Sequence, residues 1–191
     1  MGDLASAEIV ILMLNPGFAS TNIWAETTVP HLQNILWQNL RQSSEGAKLT
    51  FTFLDPEFAW HTGFAYWSSR FKKTLQQIMK NKTLTFYEAL KWLSQKVAYL
   101  QLIPYSSSTG YRARSLTKSL PSAQQAINYA RETLVAEVFA GRKMVIVARQ
   151  VENWALPSHN NILTLSQSAA RSAYFESDAI LRTRLWEHLG L

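Results

Sequence analysis

The 191 residues contain no cysteine. That absence excludes disulfide frameworks, thiolate zinc sites and cysteine nucleophiles, and it gives no sign of an oxidising compartment. A long apolar run near the start is also missing, because the stretch 8–14 (EIVILML) covers only about seven residues, well short of the roughly 20 that a membrane span needs. No basic segment precedes it, as one would in a signal peptide. We therefore expect a cytoplasmic protein that does not enter a membrane.

What the chain does contain is apolar and aromatic side chains, which make up 47% and 12% of the residues. Such a composition is typical of a folded globular protein, and the length suits one domain with a sizeable core. The sequence shows no internal repeat, low-complexity tract or Pro/Gly-rich linker. A single domain over residues 1–191 is therefore expected, and we expect it to be a monomer.

Acidic residues are scarce in the middle of the chain. Residues 58–131 hold eleven Lys/Arg and a single acid, Glu88, whereas the remainder holds eight Lys/Arg and twelve acids. Cations interleaved with aromatic side chains suit a phosphate backbone with exposed bases. A solvated basic face would have the same composition. The aromatic residues of this middle region include Trp60, Tyr66, Trp67, Phe71, Tyr105 and Tyr111.

Hydrophobic periodicity predicts alternating strands and helices. Buried strands are expected at 8–14, 98–103, 143–148 and 161–166, and 49–54 (LTFTFL) alternates like a short strand. Helices are expected at 31–42, 66–80, 85–96 and 122–140, and from Asp178 onward; Ser122 and Gln125 have the spacing of a capping box, and Gly141 is a C-cap. This order predicts an α/β fold, a three-layer α/β/α sandwich around a central, mostly parallel four-stranded sheet.

Parallel sheets of this kind place their sites at the carboxyl ends of the strands. The first strand runs into Asn15, then Pro16 and Gly17, and then into a Ser/Thr-rich turn. Pro16 keeps Asn15 extended, and Gly17 permits a sharp turn with close approach of a ligand to the backbone. Asn15 is thus either turn punctuation or an amide aimed into a site.

Two other strand ends carry hydroxyl, aromatic and cationic residues. Such groups clamp phosphates and stack on bases, although Tyr105 also fits a rim aromatic, and Arg171 also fits a solvated position in an ordinary connection. After the second strand come Tyr105, Ser106, Ser107, Arg112 and Arg114, and after the fourth come Ser166, Gln167, Ser168, Arg171 and Ser172.

Several chemistries lack their motifs. The sequence has no GxGxxG, no Walker lysine and no GxSxG elbow, and the four histidines form no HxxxH or HExxH pair. We therefore expect no metal and no cofactor. His61, within WHTGFAYW, fits either a core position or a hydrogen-bond donor in a pocket.

Taken together, these segments resemble the uracil-DNA glycosylase superfamily. LNPG (14–17) is similar to the first motif of its Asn-Pro-Gly branches, and FAYWSSRFKKTL (64–75) to a Trp- and Arg-bearing helix of some members. LQLIPYSSS (100–108), KMVIVARQ (143–150) and LTLSQSAARS (163–172) fall where the second strand, the third strand and the second motif would lie. Two departures stand out: the second motif has no histidine, and Asn15 replaces the aspartate of uracil-specialised branches.

The resemblance implies hydrolysis of a base–sugar bond in DNA after the nucleotide has flipped out of the duplex. Asn15 would position the water and Asp55, favoured over Glu57 and Glu26, would help to orient it. The altered motifs imply a modified or non-canonical base, for instance in phage DNA. The base pocket would comprise Pro16, Gly17, Phe18, Tyr105, Ser166 and Gln167, with Trp24 or Trp60 as other stacking candidates. DNA would be bound by Ser106, Ser107, Arg112, Arg114, Ser168, Arg171 (the candidate wedge) and Ser172.

Two other functions stay open at this point. One is a nucleic-acid-binding module that retains the fold without the chemistry, which the missing histidine favours. The other is a small-molecule or nucleotide hydrolase of flavodoxin-like architecture, for which the basic region would be incidental.

Overall fold

The computed structural model describes residues 1–43, 49–107, 116–166, 169–170 and 174–191. Its centre is a four-stranded, all-parallel sheet in the order β2-β1-β3-β4. Every residue of β1 is buried, as its uninterrupted apolar sequence predicts for a central strand covered on both faces. The strands are β1 (Ile9–Met13), β2 (Val97–Gln101), β3 (Met144–Val147) and β4 (Ile162–Thr164).

Helices connect the strands and cover the sheet. Within the described part of the chain, each of them is too short or too polar to cross a bilayer. The α-helices are α1 (Ser20–Thr28), α2 (Pro30–Arg41), α3 (Thr62–Arg70), α4 (Lys72–Lys82), α5 (Phe86–Ser94), α6 (Pro121–Tyr129), α7 (Val135–Phe139), α8 (Val151–Trp154) and α9 (Ala179–His188). A π-helical segment, Ala130–Leu134, joins α6 to α7, and 3-10 turns occur at Thr52–Leu54, Pro56–Phe58 and Phe175–Ser177.

The two faces of the sheet carry separate hydrophobic cores. Because side chains alternate along a strand, Ile9, Ile11 and Met13 point to one face, where residues of α3, α4, α5 and α9 pack against them. Val10 and Leu12 point to the other, under α6, α7 and α8. We call these the first and the second face. The predicted three-layer α/β/α fold is confirmed.

Two predicted elements differ in the structure. The stretch 49–54 is not a strand: Thr52–Leu54 forms a 3-10 turn in which all three residues are buried. The single helix expected at 66–80 is two helices, separated at Phe71, whose φ of −104° and ψ of 15° are not helical. The backbone N–H groups of Lys73 and Thr74, exposed by that break, donate to the buried Glu176 carboxylate over 2.8 and 2.7 Å.

The predicted helix ends are partly right. The expected capping box of Ser122 and Gln125 does not form, since α6 begins at Pro121, directly after Leu120; a capping box forms instead between Thr85 and Glu88. Gly141 does end α7, with a φ of +75° that favours glycine. The Asp178 carboxylate caps α9 as expected, whereas the Ser/Thr-rich segment after Gly17 is helical as α1, not a turn.

Candidate functional site

The loops that follow β1 and β2 remain paired beyond the strands. The Ile103 N–H donates to the Leu14 carbonyl over 2.8 Å. Further along, the Ser107 N–H donates to Pro16 and the Phe18 N–H donates to Ser107, each over 3.2 Å, which makes a parallel bridge between Gly17 and Ser107. The first and second strand ends therefore meet at one edge, as the parallel sheet predicts.

The Asn15 side chain joins these two loops. Its Nδ2 donates to Ser107 Oγ and to the Pro16 carbonyl, both over 2.8 Å. Because a carbonyl only accepts, the amide nitrogen must face Pro16, and Oδ1 is left facing the other way. Among the described residues nothing donates to Oδ1. Asn15 is therefore more than turn punctuation, because it presents a fixed acceptor at the carboxyl edge of the central strand.

Open space and exposed aromatic rings surround this edge. A Cβ built on Gly17 meets nothing within 4 Å. The φ of Gly17 is not positive, so the turn itself does not require glycine. Phe18 and Tyr105, which follow β1 and β2, are 55% and 62% exposed. Each of the two loops that Asn15 joins thus carries one large aromatic side chain in solvent.

The third and fourth strand ends also lie together. The Leu165 N–H donates to the Val147 carbonyl over 3.2 Å, and Arg149 Nε donates to the Ala170 carbonyl over 3.1 Å. Ser166 is exposed and its Oγ accepts from the Ala169 N–H. The predicted site residues Arg112, Arg114, Gln167, Ser168, Arg171 and Ser172 lie outside the described residues.

Asp55 serves a local structural role. Its carboxylate accepts the Glu57 N–H over 3.0 Å and so caps the 3-10 turn Pro56–Phe58. It makes no hydrogen bond with Asn15, and both residues are described. The structure therefore does not join these two predicted catalytic residues.

A different carboxylate, Glu26, faces a buried histidine. His61 Nδ1 accepts the Gly63 N–H over 3.0 Å at the start of α3, so a neutral ring carries its proton on Nε2. That Nε2 lies 3.7 Å from Glu26 Oε1, and the two side chains are 1% and 38% exposed. Nε2 takes no hydrogen bond among the described residues. Glu26 thus stands between a buried donor and solvent.

Desolvation controls the protonation of this pair. Burial raises the pKa of Glu26 and lowers the pKa of His61. An ion pair at this distance would shift both pKa values in the opposite sense. The burial effect therefore dominates, and both residues favour their neutral forms more than free side chains do.

Two side chains of β2, Tyr99 and Gln101, add further polar groups on the first face, where Tyr99 interacts with Glu26. Burial raises the pKa of Tyr99, and the charge of Glu26 raises it further. Gln101, two residues on, has a buried Oε1 that takes no hydrogen bond among the described residues. Gln101 is register-paired with Met13, two residues before Asn15. Sequence reasoning considered Glu26 and His61 separately and missed their pairing, because α2 and two 3-10 turns lie between them along the chain.

The comparisons with known proteins give no family. No protein-family model, curated protein or solved structure matches this chain. The class that the structure defines is thus its fold alone, a parallel α/β/α protein with polar groups at the carboxyl edge of the sheet.

Proposed function

We propose that the protein is a DNA glycosylase that hydrolyses the N-glycosidic bond of a flipped-out, modified or non-canonical base. The observation that carries the proposal is the Asn15 amide. Its Nδ2 is held by Ser107 and Pro16, so that Oδ1 is fixed as an acceptor at the end of the central strand. That is the group required to hold a water molecule in one orientation beside a bound substrate.

The bond changes follow from this assignment. Asn15 Oδ1 accepts a hydrogen bond from the water, whose oxygen bonds to C1′ of the sugar as the bond from C1′ to the base breaks. The bonding electron pair leaves with the base, which gains a proton, and the water loses one. An amide is too weak a base to take that proton, so Asn15 orients the water and a second group carries the proton. Backbone N–H groups would stabilise the charge on the departing base.

The exposed aromatic residues support a flipped base as ligand. Phe18 and Tyr105 lie in the two loops that Asn15 joins and stand largely in solvent, where their rings can stack on a base. Base–aromatic stacking contributes about 1–3 kcal/mol per base. That is comparable with the few kcal/mol that extrusion of a nucleotide from a duplex costs.

Exposed lysines support DNA as the partner. Lys72 and Lys73 lie at the start of α4, Lys80 and Lys82 at its end, and Lys91 on α5. All five side chains are exposed. Positive charge on one run of the chain suits contact with phosphates. In this proposal the protein acts as a cytoplasmic monomer in base excision, either in repair or in defence against foreign DNA.

The test is base release from a panel of DNA duplexes with damaged, deaminated or phage-type modified bases. Abasic sites are detected by cleavage with alkali. We expect wild-type protein to release at least one base and Asn15→Ala to release none while its affinity for DNA stays within about twofold. Asn34→Ala, an exposed asparagine on α2, is the matched control. Full activity of Asn15→Ala would refute the mechanism.

A binding module without chemistry is the second candidate, favoured by the absence of histidine from the segment 163–172. DNA binding by the wild type with no abasic site from any duplex would support it. Release from free nucleotides with no requirement for DNA would instead indicate a nucleotide hydrolase.

A further inference from the structure

The junction of α1 and α3 brings Glu26 next to His61. Asn22 and Glu26 are one helical turn apart on α1 and so share a face. The Thr62 hydroxyl, at the start of α3, donates to Asn22 Oδ1, and the preceding residue, His61, points its Nε2 at Glu26. The consecutive residues His61 and Thr62 therefore face two consecutive turns of α1.

Exposure separates the roles of the two side chains. His61 is enclosed and its ring stacks on Phe53, with 4.7 Å between the ring centroids. Glu26 is partly exposed, so it is the member of the pair that a ligand can touch. The 3.7 Å gap is too long for a hydrogen bond. A small shift of Glu26 toward Nε2 would close it.

Among the described residues, the unfilled hydrogen-bonding capacity around Glu26 comprises one buried donor, His61 Nε2, and the acceptor oxygens of Glu26 and Gln101. The Glu26 carboxylate accepts no hydrogen bond within the described residues, and neither does the buried Oε1 of Gln101. An acceptor that is buried without a donor, such as Gln101 Oε1, is unfavourable. A ligand N–H group can donate to these acceptor oxygens. A ligand carbonyl oxygen would instead be repelled by them, because both atoms carry partial negative charge.

We infer that Glu26, positioned by His61, reads the base and accepts the exocyclic amino N–H of an amino-bearing nucleobase. The inference rests on the proposed function, because it names the class of base that the proposed glycosylase would take. Amino-bearing bases of the cytosine and adenine type would be bound in preference to their oxo counterparts, uracil and hypoxanthine. His61 is a positioning residue, because it acts through Glu26.

Two variants isolate these roles with little change of structure. Glu26→Gln retains size and replaces the carboxylate with an amide that donates as well as accepts. His61→Asn retains a cap for the Gly63 N–H, since asparagine is a favoured N-cap residue, and removes the Nε2 donor. The matched controls are Glu132→Gln and His31→Asn, both at exposed positions. Thermal unfolding of each variant checks that it folds.

Binding of free bases provides the measurement. Trp60, whose ring lies 5.8 Å from that of His61, reports occupancy through its fluorescence. We expect the wild type and both controls to bind cytosine and adenine about tenfold more tightly than uracil and hypoxanthine, as one charge-assisted hydrogen bond allows. Glu26→Gln should lose or reverse that preference. Equal binding of amino and oxo bases by the wild type would overturn the inference, as would an unchanged preference in Glu26→Gln.

The pH profile separates positioning from mere packing. The titratable groups that face Glu26 are His61, at the start of α3, and Tyr99, on β2. Burial lowers the pKa of His61 and raises the pKa of Tyr99, which favours the neutral form of both, so a rise in adenine binding with pH reports the ionisation of Glu26. We expect that rise to be absent from Glu26→Gln and moved in midpoint in His61→Asn. An unmoved midpoint in His61→Asn would overturn its positioning role.

The inference and the proposed function fail in different ways. If the wild type releases a base from DNA and Glu26→Gln releases the same bases with the same preference, the inference is overturned and the function stands. If free amino bases bind through Glu26 but no DNA loses a base, the glycosylase proposal is overturned and the amino-base site stands.

Discussion

Asn15 Nδ2 lies 2.8 Å from Ser107 Oγ, and this hydrogen bond joins the loops that follow two neighbouring strands. The two residues are far apart in the chain, yet the parallel pairing of β1 with β2 brings their loops to one edge. Among the described residues, nothing donates to Oδ1 at the other end of this amide. The orientation of the Asn15 side chain thus depends on the pairing of β1 with β2.

Removal of the Ser107 hydroxyl should loosen that amide. In Ser107→Ala, Nδ2 retains only the Pro16 carbonyl and the amide can rotate. We expect kcat for base release to fall about tenfold, as the loss of one hydrogen bond implies, with DNA affinity nearly unchanged. Single-turnover release on a substrate duplex measures it, and Ser158→Ala, at an exposed position outside the predicted site, is the control. A kcat equal to that of the wild type would show that Ser107 does not orient Asn15.

Two glycines should respond differently to alanine. A Cβ on Gly63 would lie 2.9 Å from both the Phe53 ring and His61 Nδ1. Gly63→Ala should therefore destabilise the fold by about 1–3 kcal/mol through overpacking. A Cβ on Gly17 meets open space, so Gly17→Ala should stay within about 0.5 kcal/mol of the wild type. Urea unfolding compares them, and equal stability of both variants would contradict the packing around His61.

Glu176 should make stability depend on pH. Burial raises the pKa of this carboxyl above its ordinary value of 4.5, although hydrogen bonds from Thr74 and Lys73 oppose the shift. The folded protein thus holds the proton more tightly than the unfolded chain. This contribution to stability is present in full below the unfolded pKa and is lost as the pH rises through the folded pKa.

The measurement is the urea midpoint of the wild type and of Glu176→Gln between about pH 4 and pH 7. We expect the advantage of the wild type over the variant to shrink as the pH rises. Glu132→Gln, at an exposed position, should show no such trend. An advantage that grows with pH would mean that the hydrogen bonds outweigh burial and that the pKa is lowered.

Salt should weaken DNA binding in proportion to the phosphates contacted. We expect log Kd to rise linearly with log salt concentration and the slope to fall by about one unit in Lys72→Ala. Arg142→Ala is the control, because Arg142 is paired with Glu137 over 2.7 Å. Binding that does not change with salt would remove nucleic acid as the partner.

The central strands were predictable from the sequence, because a strand that is buried on both faces is a short, uninterrupted run of apolar residues. β1 and β3 have that pattern, and each lies within one residue of the predicted bounds at either end. The prediction of a strand at 49–54 was wrong. The alternating polar and apolar residues of this segment include a 3-10 turn, and all three residues of that turn are buried. The break at Phe71 was not visible in the sequence, since it depends on Glu176, a residue about a hundred positions away.

The site was predictable where it follows from strand ends and not where it depends on helix packing. Asn15 and Ser107 were expected at one edge, and they are in contact there. Asp55 was a plausible carboxylate in sequence, but its neighbour Glu57 engages it in a local cap. The pair of Glu26 and His61 arises where α1 crosses the start of α3, a contact for which the sequence carries no periodic signal.

The bridge between Gly17 and Ser107 has a mechanical consequence. Backbone hydrogen bonds run in both directions between the two loops, so neither loop can be displaced without the other. A ring that stacks against Phe18 would therefore displace the paired loops together, including the loop that carries Tyr105. Recognition at one aromatic residue would be transmitted to the other as a shared displacement, and the two should tighten or release a ligand together.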